Sequence, residues 1–228
     1  MQKSLLAGLA LSCATLALAA SELLIGDFSD GLAAWEERSF SGETRYRVVE
    51  LDNRAALEAI ADDSASALYR EIEIDLKNTP CLHWTWRIEA PLGSDTDERS
   101  KAGDDYPARL YVVRRGGLAF WRTRALNYVW SSNQPVGSRW DNAYAGENAR
   151  MWALDSGATK AGEWVSHVRD VRADWRAAFG EDIDTLDGVA VMTDADDTGG
   201  AARAWYADIR LSAYSSGADC VRPDAPQR

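Results

Sequence analysis

Apolar and polar residues alternate along most of the chain, and this pattern predicts β-strands. In the segment 81–89, Leu82, Trp84, Trp86 and Ile88 share one face and mainly polar residues form the other. Further strands are predicted at 23–28, 45–50, 55–60, 68–76, 108–113, 125–130, 149–154 and 164–169. Gly, Asn and Asp turns separate these segments at short spacings, which is typical of an all-β fold, an antiparallel β-sandwich or jelly roll.

One short helix is predicted over Val171–Phe179, because Asp170 can cap its first turn and Gly180 can end it. Downstream, 189–192 and 204–211 are predicted to be two strands joined by an acidic loop that ends in glycine. Alternation in the second of these strands predicts one face formed by Trp205, Ala207, Ile209 and Leu211, opposite Tyr206, Asp208 and Arg210.

The start of the chain has the pattern of a signal peptide. Lys3 precedes an apolar run over 5–18, and Ala17-Leu18-Ala19 forms a small-residue cleavage motif. We therefore expect residues 1–19 to be removed. The mature protein is predicted to be periplasmic or secreted, with no stable membrane insertion after cleavage.

The cysteine count predicts one disulfide. Cleavage would leave Cys81 and Cys220, and two cysteines in an exported protein favour a bond between them. We expect residues 20–217 to form a single β-sandwich domain and residues 218–228 to form a tail tied to it by this bond.

Charge and aromatic content limit the choice of partner. The net charge of −11 argues against nucleic acid and against anionic membrane surfaces. Ten Trp and eight Tyr stand against four Phe. Such amphipathic aromatic side chains are used to stack on sugars, although they also fill β-sandwich cores.

The acidic loop after residue 193 carries three carboxylates in four residues. Asp194-x-Asp196-x-Thr198-Gly199 resembles the start of an EF-hand loop, but the twelfth position is Trp205 instead of Glu. These carboxylates are expected to be solvated, paired with arginine, or bound to a hard cation such as Ca²⁺. A separate structural cation between Asp27 and Asp208 is a further possibility if the first and last strands are neighbours.

Two other segments carry candidate binding chemistry. Arg109 lies on a largely apolar strand that two carboxylates precede, so its charge needs a partner. The segment 125–130 combines an amide with aromatic rings, as polyol and sugar sites do. We predict that one cleft gathers the following side chains: Asp104, Asp105, Tyr106, Arg109, Asn127, Tyr128, Trp130, Asp194, Asp196 and Asp197.

Motifs for several enzyme classes are absent from the sequence. It contains no G-x-S-x-G, no H-E-x-x-H and no phosphate-binding loop, and it has only two histidines. If the protein is an enzyme, the candidates for the chemistry are Asp105, Arg109 and Asp194. Nothing in the spacing of the carboxylates fixes a catalytic pair.

Several segments together resemble the DUF3047 family of exported bacterial proteins. They are Trp84-Thr85-Trp86 and the segments 103–113, 126–130, 174–180 and 192–199. This resemblance covers nearly all of the mature chain and implies no established activity. A weaker resemblance, carried by the segments 27–35 and 205–209, is to galactose-binding-like jelly rolls, which include carbohydrate-binding modules; in these a structural Ca²⁺ often lies between the two ends.

The sequence thus leaves three functional hypotheses open. The first is an exported β-sandwich that binds a carbohydrate or polyol in an acidic and aromatic cleft. The second is a glycoside-active hydrolase or lyase that uses aspartate carboxylates. The third is a structural protein of the cell envelope with no small-molecule site.

Overall fold

A computed structural model describes residues 22–93, 95–215 and 219–220 of the chain. The predicted signal peptide therefore lies outside the described residues, as does most of the predicted tail. The elements in chain order are β1 (Glu22–Gly26), β2 (Glu36–Ser41), β3 (Arg45–Leu51), β4 (Arg54–Asp62), β5 (Ala65–Asp75), β6 (Cys81–Ile88), β7 (Ala108–Arg114), β8 (Arg124–Ser131), β9 (Arg139–Asn142), β10 (Gly146–Ser156), β11 (Val165–Asp170), α1 (Val171–Phe179), β12 (Thr185–Asp194) and β13 (Ala201–Ser212).

The strands form two sheets, as the all-β sandwich prediction requires. One sheet has the order β11-β6-β13-β4-β3, with β1 also paired to β13. The other has seven strands in the order β2-β5-β12-β7-β8-β10-β9. The strand pairs are antiparallel except β8 and β10, which run parallel. A long excursion that includes β9 separates these two strands along the chain, so β10 can return in the same direction as β8.

Large aromatic side chains fill the space between the two sheets. Trp84 and Trp86 of β6 are fully buried there, and so are Tyr128 and Trp130 of β8. The rings of Trp84 and Tyr128 are stacked with their centroids 5.2 Å apart. Burial of such large rings is a major stabilising contribution in a core of this kind.

The predicted helix and both of its capping residues are confirmed. The Asp170 side chain accepts a hydrogen bond from the Ala173 backbone nitrogen at 2.9 Å, and Gly180 ends the helix with a φ of 72°. The left-handed conformation of Gly180 carries no steric penalty, since glycine has no Cβ. Trp175 anchors the helix in the core.

Strand β13 departs from the predicted alternation. Its register with β6 shifts between Ala207 and Arg210, and Asp208 has a φ of 56°. This bulge moves the residues after it by one position. As a result Tyr206, Ile209 and Leu211 face the core, whereas Trp205 and Ala207 form a small cluster with Ala56 on the opposite face.

The predicted disulfide is present between Cys81, the first residue of β6, and Cys220. It attaches the end of the described chain to the start of β6, which lies between β11 and β13 in the six-stranded sheet. In the ranges that the structure describes, no helix is both long enough and apolar enough to pass through a bilayer.

Candidate functional site: a cavity on the seven-stranded sheet

A cavity of about 550 Å³ lies on the face of the seven-stranded sheet that points away from the core. Its floor comes from alternate residues of neighbouring strands, because side chains point to opposite faces along a strand. Arg109 and Tyr111 of β7 line the cavity, while Leu110 and Val112 point into the core. Strands β5, β8, β10 and β12 contribute in the same way, and β2 supplies one wall through Phe40.

Small side chains make room for the cavity. The floor and the adjoining turn include four alanines, and a longer apolar side chain at these positions would fill the space. They are Ala65, Ala125, Ala145 and Ala149.

Aromatic rings stand at the opening of the cavity. Phe40 is 65% exposed and Tyr144 is 58% exposed, although both are large rings. The Tyr144 hydroxyl donates a hydrogen bond to Asp197, and the Lys101 ammonium lies 5.0 Å from the centre of the Tyr144 ring. Hydrogen bonding to Asp197 raises the pKa of Tyr144 to about 12. The side chain is thus held at the cavity lining while more than half of it remains exposed.

An ion pair occupies one wall of the cavity. The Arg109 guanidinium donates to the Asp194 carboxylate at 2.6 Å and to the Asp104 backbone carbonyl at 3.1 Å. Arg109 also lies over the Tyr106 ring, 4.6 Å from its centre. Asp194 ends β12 and Arg109 lies near the start of β7, which are adjacent strands. The sheet therefore brings together residues 85 positions apart in the sequence.

The carboxyl groups on this wall hold their protons more tightly than free aspartates. Burial raises the pKa of Asp194 well above its usual value, and the nearby charge of Asp105 raises it further against the opposing effect of Arg109. Burial also raises the pKa of Asp104. Asp104 and Asp194 both line the cavity, so the cavity wall carries two carboxyl groups whose proton affinity is raised.

Asparagine amides supply further polar groups. Asn127, on the floor, donates two long hydrogen bonds of 3.4 Å within the described ranges, to backbone carbonyls of Ala125 and Arg150. Asn142 donates to Asp104 at 2.5 Å and accepts from backbone nitrogens of the turn that carries Tyr144. Asn127 therefore retains hydrogen-bonding capacity toward the cavity, whereas Asn142 holds the site in shape.

The structure brings together most of the side chains predicted to share a cleft. Six of the ten line the cavity: Asp104, Arg109, Asn127, Asp194, Asp196 and Asp197. Asp105 and Tyr106 are buried directly behind the wall, where the Tyr106 backbone nitrogen donates to Asp194 at 3.0 Å.

Tyr128 and Trp130 lie elsewhere, in the core between the sheets. The Tyr128 hydroxyl donates to Asp174 at 2.8 Å, and the Trp130 indole nitrogen donates to the Gly157 carbonyl at 3.0 Å. Both point to the opposite face of β8 from Asn127, so they support the sandwich and have no access to the cavity.

Asp27 and Asp208, predicted as ligands of a structural cation, are both exposed. The condition for that prediction holds, because Asp27 directly follows β1 and β1 pairs with β13, which carries Asp208. Asp208 is bonded to the Arg54 guanidinium at 2.7 Å, and Asp27 accepts a hydrogen bond from the Ser29 backbone nitrogen. A shared cation at these two residues stays a prediction.

Sequence reasoning missed Phe40 and Asn142 as members of the site. Phe40 lies on β2, whose residues are all exposed, so its segment has no alternation of apolar and polar positions. Asn142 ends β9, where Trp140 and Asn142 are buried and Arg139 and Asp141 are exposed. That short alternation was the available signal for Asn142.

This chain has a match to one protein family and is similar to several solved structures. The family model described as "Protein of unknown function (DUF3047)" matches residues 33–210. A solved structure of the family 11 carbohydrate-binding module of the cellulase Lic26A-Cel5E of Clostridium thermocellum is 11% identical, with 86% of this chain and 96% of that chain covered and a TM-score of 0.47. The endoglucanase Cel12A of Rhodothermus marinus is 14% identical, with 84% and 98% covered and a TM-score of 0.47. No curated protein matches the chain.

Proposed function

The chain belongs to the DUF3047 family, and we propose that its cavity on the seven-stranded sheet binds a carbohydrate or a related polyol. The observation that carries the proposal is the pairing of accessible aromatic rings at the cavity opening with polar side chains on its floor and wall. A sugar presents apolar C–H faces and hydroxyl edges, and such a site matches both.

The aromatic part of the site is suited to the sugar face. Phe40 and Tyr144 keep large exposed areas although they are apolar or amphipathic. Stacking of a pyranose ring on either side chain removes that area from water. Because Tyr144 is held by Asp197 and Lys101, little side-chain freedom is lost on binding.

The polar part of the site is suited to hydroxyl groups. Asn127 offers both a donor and an acceptor from the floor, and the Asp194 and Asp196 carboxylates accept from the wall. A hydroxyl group can donate to a carboxylate and accept from an amide, so adjacent hydroxyls satisfy neighbouring side chains together.

Charge favours a neutral ligand over an anionic one. The cavity lining includes the acids Asp104, Asp194, Asp196 and Asp197 but one arginine, and that arginine is already paired. An anionic ligand would meet repulsion in a partly desolvated space. We therefore expect neutral glycans or polyols to bind more tightly than uronate-rich or sulfated ones.

Affinity electrophoresis against a panel of soluble polysaccharides, followed by calorimetry with oligosaccharides, tests the proposal. Tyr144→Ala and Asn127→Ala are expected to abolish retardation, because they remove the stacking surface and the floor amide. Trp121→Ala is the matched control, since Trp121 is also an exposed ring (63%) but does not line the cavity. Absence of retardation by any neutral polysaccharide, or equal loss in the control, would count against carbohydrate binding.

A second candidate, glycoside hydrolysis or elimination, is favoured by one observation. Burial raises the pKa of Asp104, and its carboxyl group lines the cavity. A carboxyl group whose pKa is raised holds its proton more tightly than a free one, which suits it to act as a general acid toward a leaving group.

The two functions are separated by Asp104→Asn, which keeps the shape of the side chain. An enzyme would lose turnover of a bound glycan in this variant while retaining affinity within about threefold, as expected when only the proton donor is removed. A binding protein would release no product from any glycan it retains, with or without the substitution.

A further inference from the structure

Three carboxylates meet at the wall of the cavity. One carboxylate oxygen from each of Asp105, Asp194 and Asp196 lies within 4.8 Å of the others. Asp105 precedes β7, while Asp194 and Asp196 come from the end of β12 and the loop after it. Two separate segments of the chain thus converge on one small volume.

One oxygen of this group is buried without a partner. Asp105 is 1% exposed, and its Oδ1 atom has no hydrogen-bond partner among the described residues. Loss of water from a carboxylate oxygen is unfavourable unless another interaction replaces it. A bound cation is one partner that would satisfy this oxygen.

The second oxygen of Asp105 fixes the orientation of the group. Asp105 Oδ2 accepts hydrogen bonds from the Thr198 backbone nitrogen at 2.6 Å and from the Thr198 hydroxyl at 2.7 Å. These bonds tie the acidic loop to the start of β7 and hold the carboxylate in one rotamer. Such outer contacts are what positions the ligands of a metal site.

The local charge is strongly unbalanced. Arg109 is the cation bonded to this group, and it contacts Asp194 alone among the three carboxylates. Two further acids, Asp104 and Asp197, line the same cavity. A bound divalent cation would offset this repulsion, and carboxylate oxygens are the ligands that hard cations prefer.

We propose that Asp105, Asp194 and Asp196 form a binding site for a hard divalent cation of calcium size. Three oxygens that share one Ca²⁺ at its usual ligand distance lie up to about 4–4.5 Å from one another. The three carboxylates, within 4.8 Å of one another, are therefore close to a coordinating arrangement. Asp194 and Asp196 also line the cavity, so the remaining coordination positions face the space open to water or to ligand hydroxyls.

Calorimetric titration of the full, disulfide-bonded chain with CaCl₂, after removal of metals by a chelator, tests the proposal. We expect one saturable site per chain with a dissociation constant below about 1 mM, as in extracellular calcium modules, and a higher melting temperature with the ion. Because the probe is the metal alone, the result does not depend on whether a glycan binds.

Three single-charge variants test the location. Asp105→Asn and Asp196→Asn are expected to weaken Ca²⁺ binding at least about tenfold, because each removes a ligand. Asp197→Asn is the matched control: it removes the same charge from the neighbouring position, and we expect a change below about threefold, as for a screened nearby charge. Asp196 is partly exposed, so its variant decides the matter if Asp105→Asn does not fold.

The proposal is overturned by the absence of saturable binding at about 10 mM Ca²⁺, a concentration beyond the range of protein calcium sites. It is also overturned if all three variants weaken binding equally, because the attraction would then be a diffuse effect of negative charge. Saturation by Mg²⁺ without Ca²⁺ binding would contradict the assigned ion size.

Discussion

Arg109 and Asp194 form an ion pair that is almost completely removed from solvent. Their nearest atoms are 2.6 Å apart, and the side chains are 8% and 3% exposed. In such a setting the attraction within the pair mainly offsets the cost of desolvating both charges. The net contribution of the pair to stability is therefore small, whereas removal of one partner costs much more. The pair also joins the ends of β7 and β12 at the cavity wall.

Substitution of one partner is expected to be strongly destabilising. Arg109→Met leaves Asp194 buried beside Asp105 with no cation, and we expect a loss of about 3–5 kcal/mol in the free energy of unfolding. Asp194→Asn is expected to cost a similar amount, because the guanidinium then lacks its counter-ion. Urea unfolding of each variant, followed by tryptophan fluorescence, measures these losses.

The double variant Arg109→Met/Asp194→Asn provides the control for that interpretation. If the losses arise from an unpaired buried charge, the double variant is less destabilised than the sum of the two single variants by at least about 1 kcal/mol, as in other coupled pairs. Additive losses would show that the two side chains act independently.

Filling the cavity is expected to block ligand binding without altering its polar groups. Ala125 lies on the floor beside Asn127, so Ala125→Leu projects three additional carbons into the space a sugar would occupy. We expect affinity for the best glycan to fall at least about tenfold, while stability changes by less than about 1 kcal/mol because the side chain points into a cavity and not into the packed core.

Ala201→Leu is the matched control for this substitution. Ala201 is exposed at the start of β13 and does not line the cavity. Calorimetry with the same oligosaccharide is expected to give parental affinity for the control. Unchanged affinity in Ala125→Leu would place the ligand outside the cavity.

Local signals predicted most strands and the helix, and they failed where pairing with distant segments decides the structure. Helix α1 has the predicted bounds because its capping residues are adjacent in the sequence. Strand β2 was not predicted, because it is an exposed edge strand with no buried face. The bulge at Asp208 was not predicted either, since it arises from the register of β13 with β6.

The candidate site was predictable where a side chain contradicts its surroundings. Arg109 and Asn127 are polar residues within apolar strands, and both line the cavity. Tyr128 was placed with Asn127 because the two are adjacent in sequence, but adjacent residues of a strand point to opposite faces. The gathering of Asp105 and Asp194 in one place is predicted because Arg109 needs a carboxylate partner, whereas the pairing of β7 with β12 that produces it is contained in no local pattern.

The disulfide is expected to stabilise the fold without contributing to the site. Cys81 and Cys220 are 139 positions apart, and neither lines the cavity. The double variant Cys81→Ser/Cys220→Ser is expected to lose about 2–5 kcal/mol of unfolding free energy, mainly because the unfolded chain gains freedom. Urea unfolding measures the loss, and calorimetry of the folded variant is expected to show parental ligand affinity. A large loss of ligand affinity in the folded variant would show that the disulfide also contributes to the site.

His83 is expected to make the protein less stable as the pH falls below neutrality. Burial, assisted by the positive charge of Arg210, lowers the pKa of His83 to about 4, compared with about 6.5 for an exposed histidine. Between these values the unfolded chain binds a proton that the folded chain does not, so stability is fully present above about pH 6.5 and is lost as the pH falls toward 4. The loss attributable to this group is up to about 3 kcal/mol.

The variant His83→Gln isolates this contribution. Glutamine does not titrate and can still bond to the Ser212 hydroxyl, which lies 2.8 Å from the His83 ring nitrogen. Carboxylates also change their contribution to stability in acid, but they do so equally in the parent and in the variant. The difference between the unfolding free energies of the two proteins therefore reports His83 alone. We expect the parent to lose stability relative to the variant as the pH is lowered from about 7 to 4, in line with linkage. Parallel pH profiles would show that His83 is protonated as easily in the folded protein as in the unfolded chain.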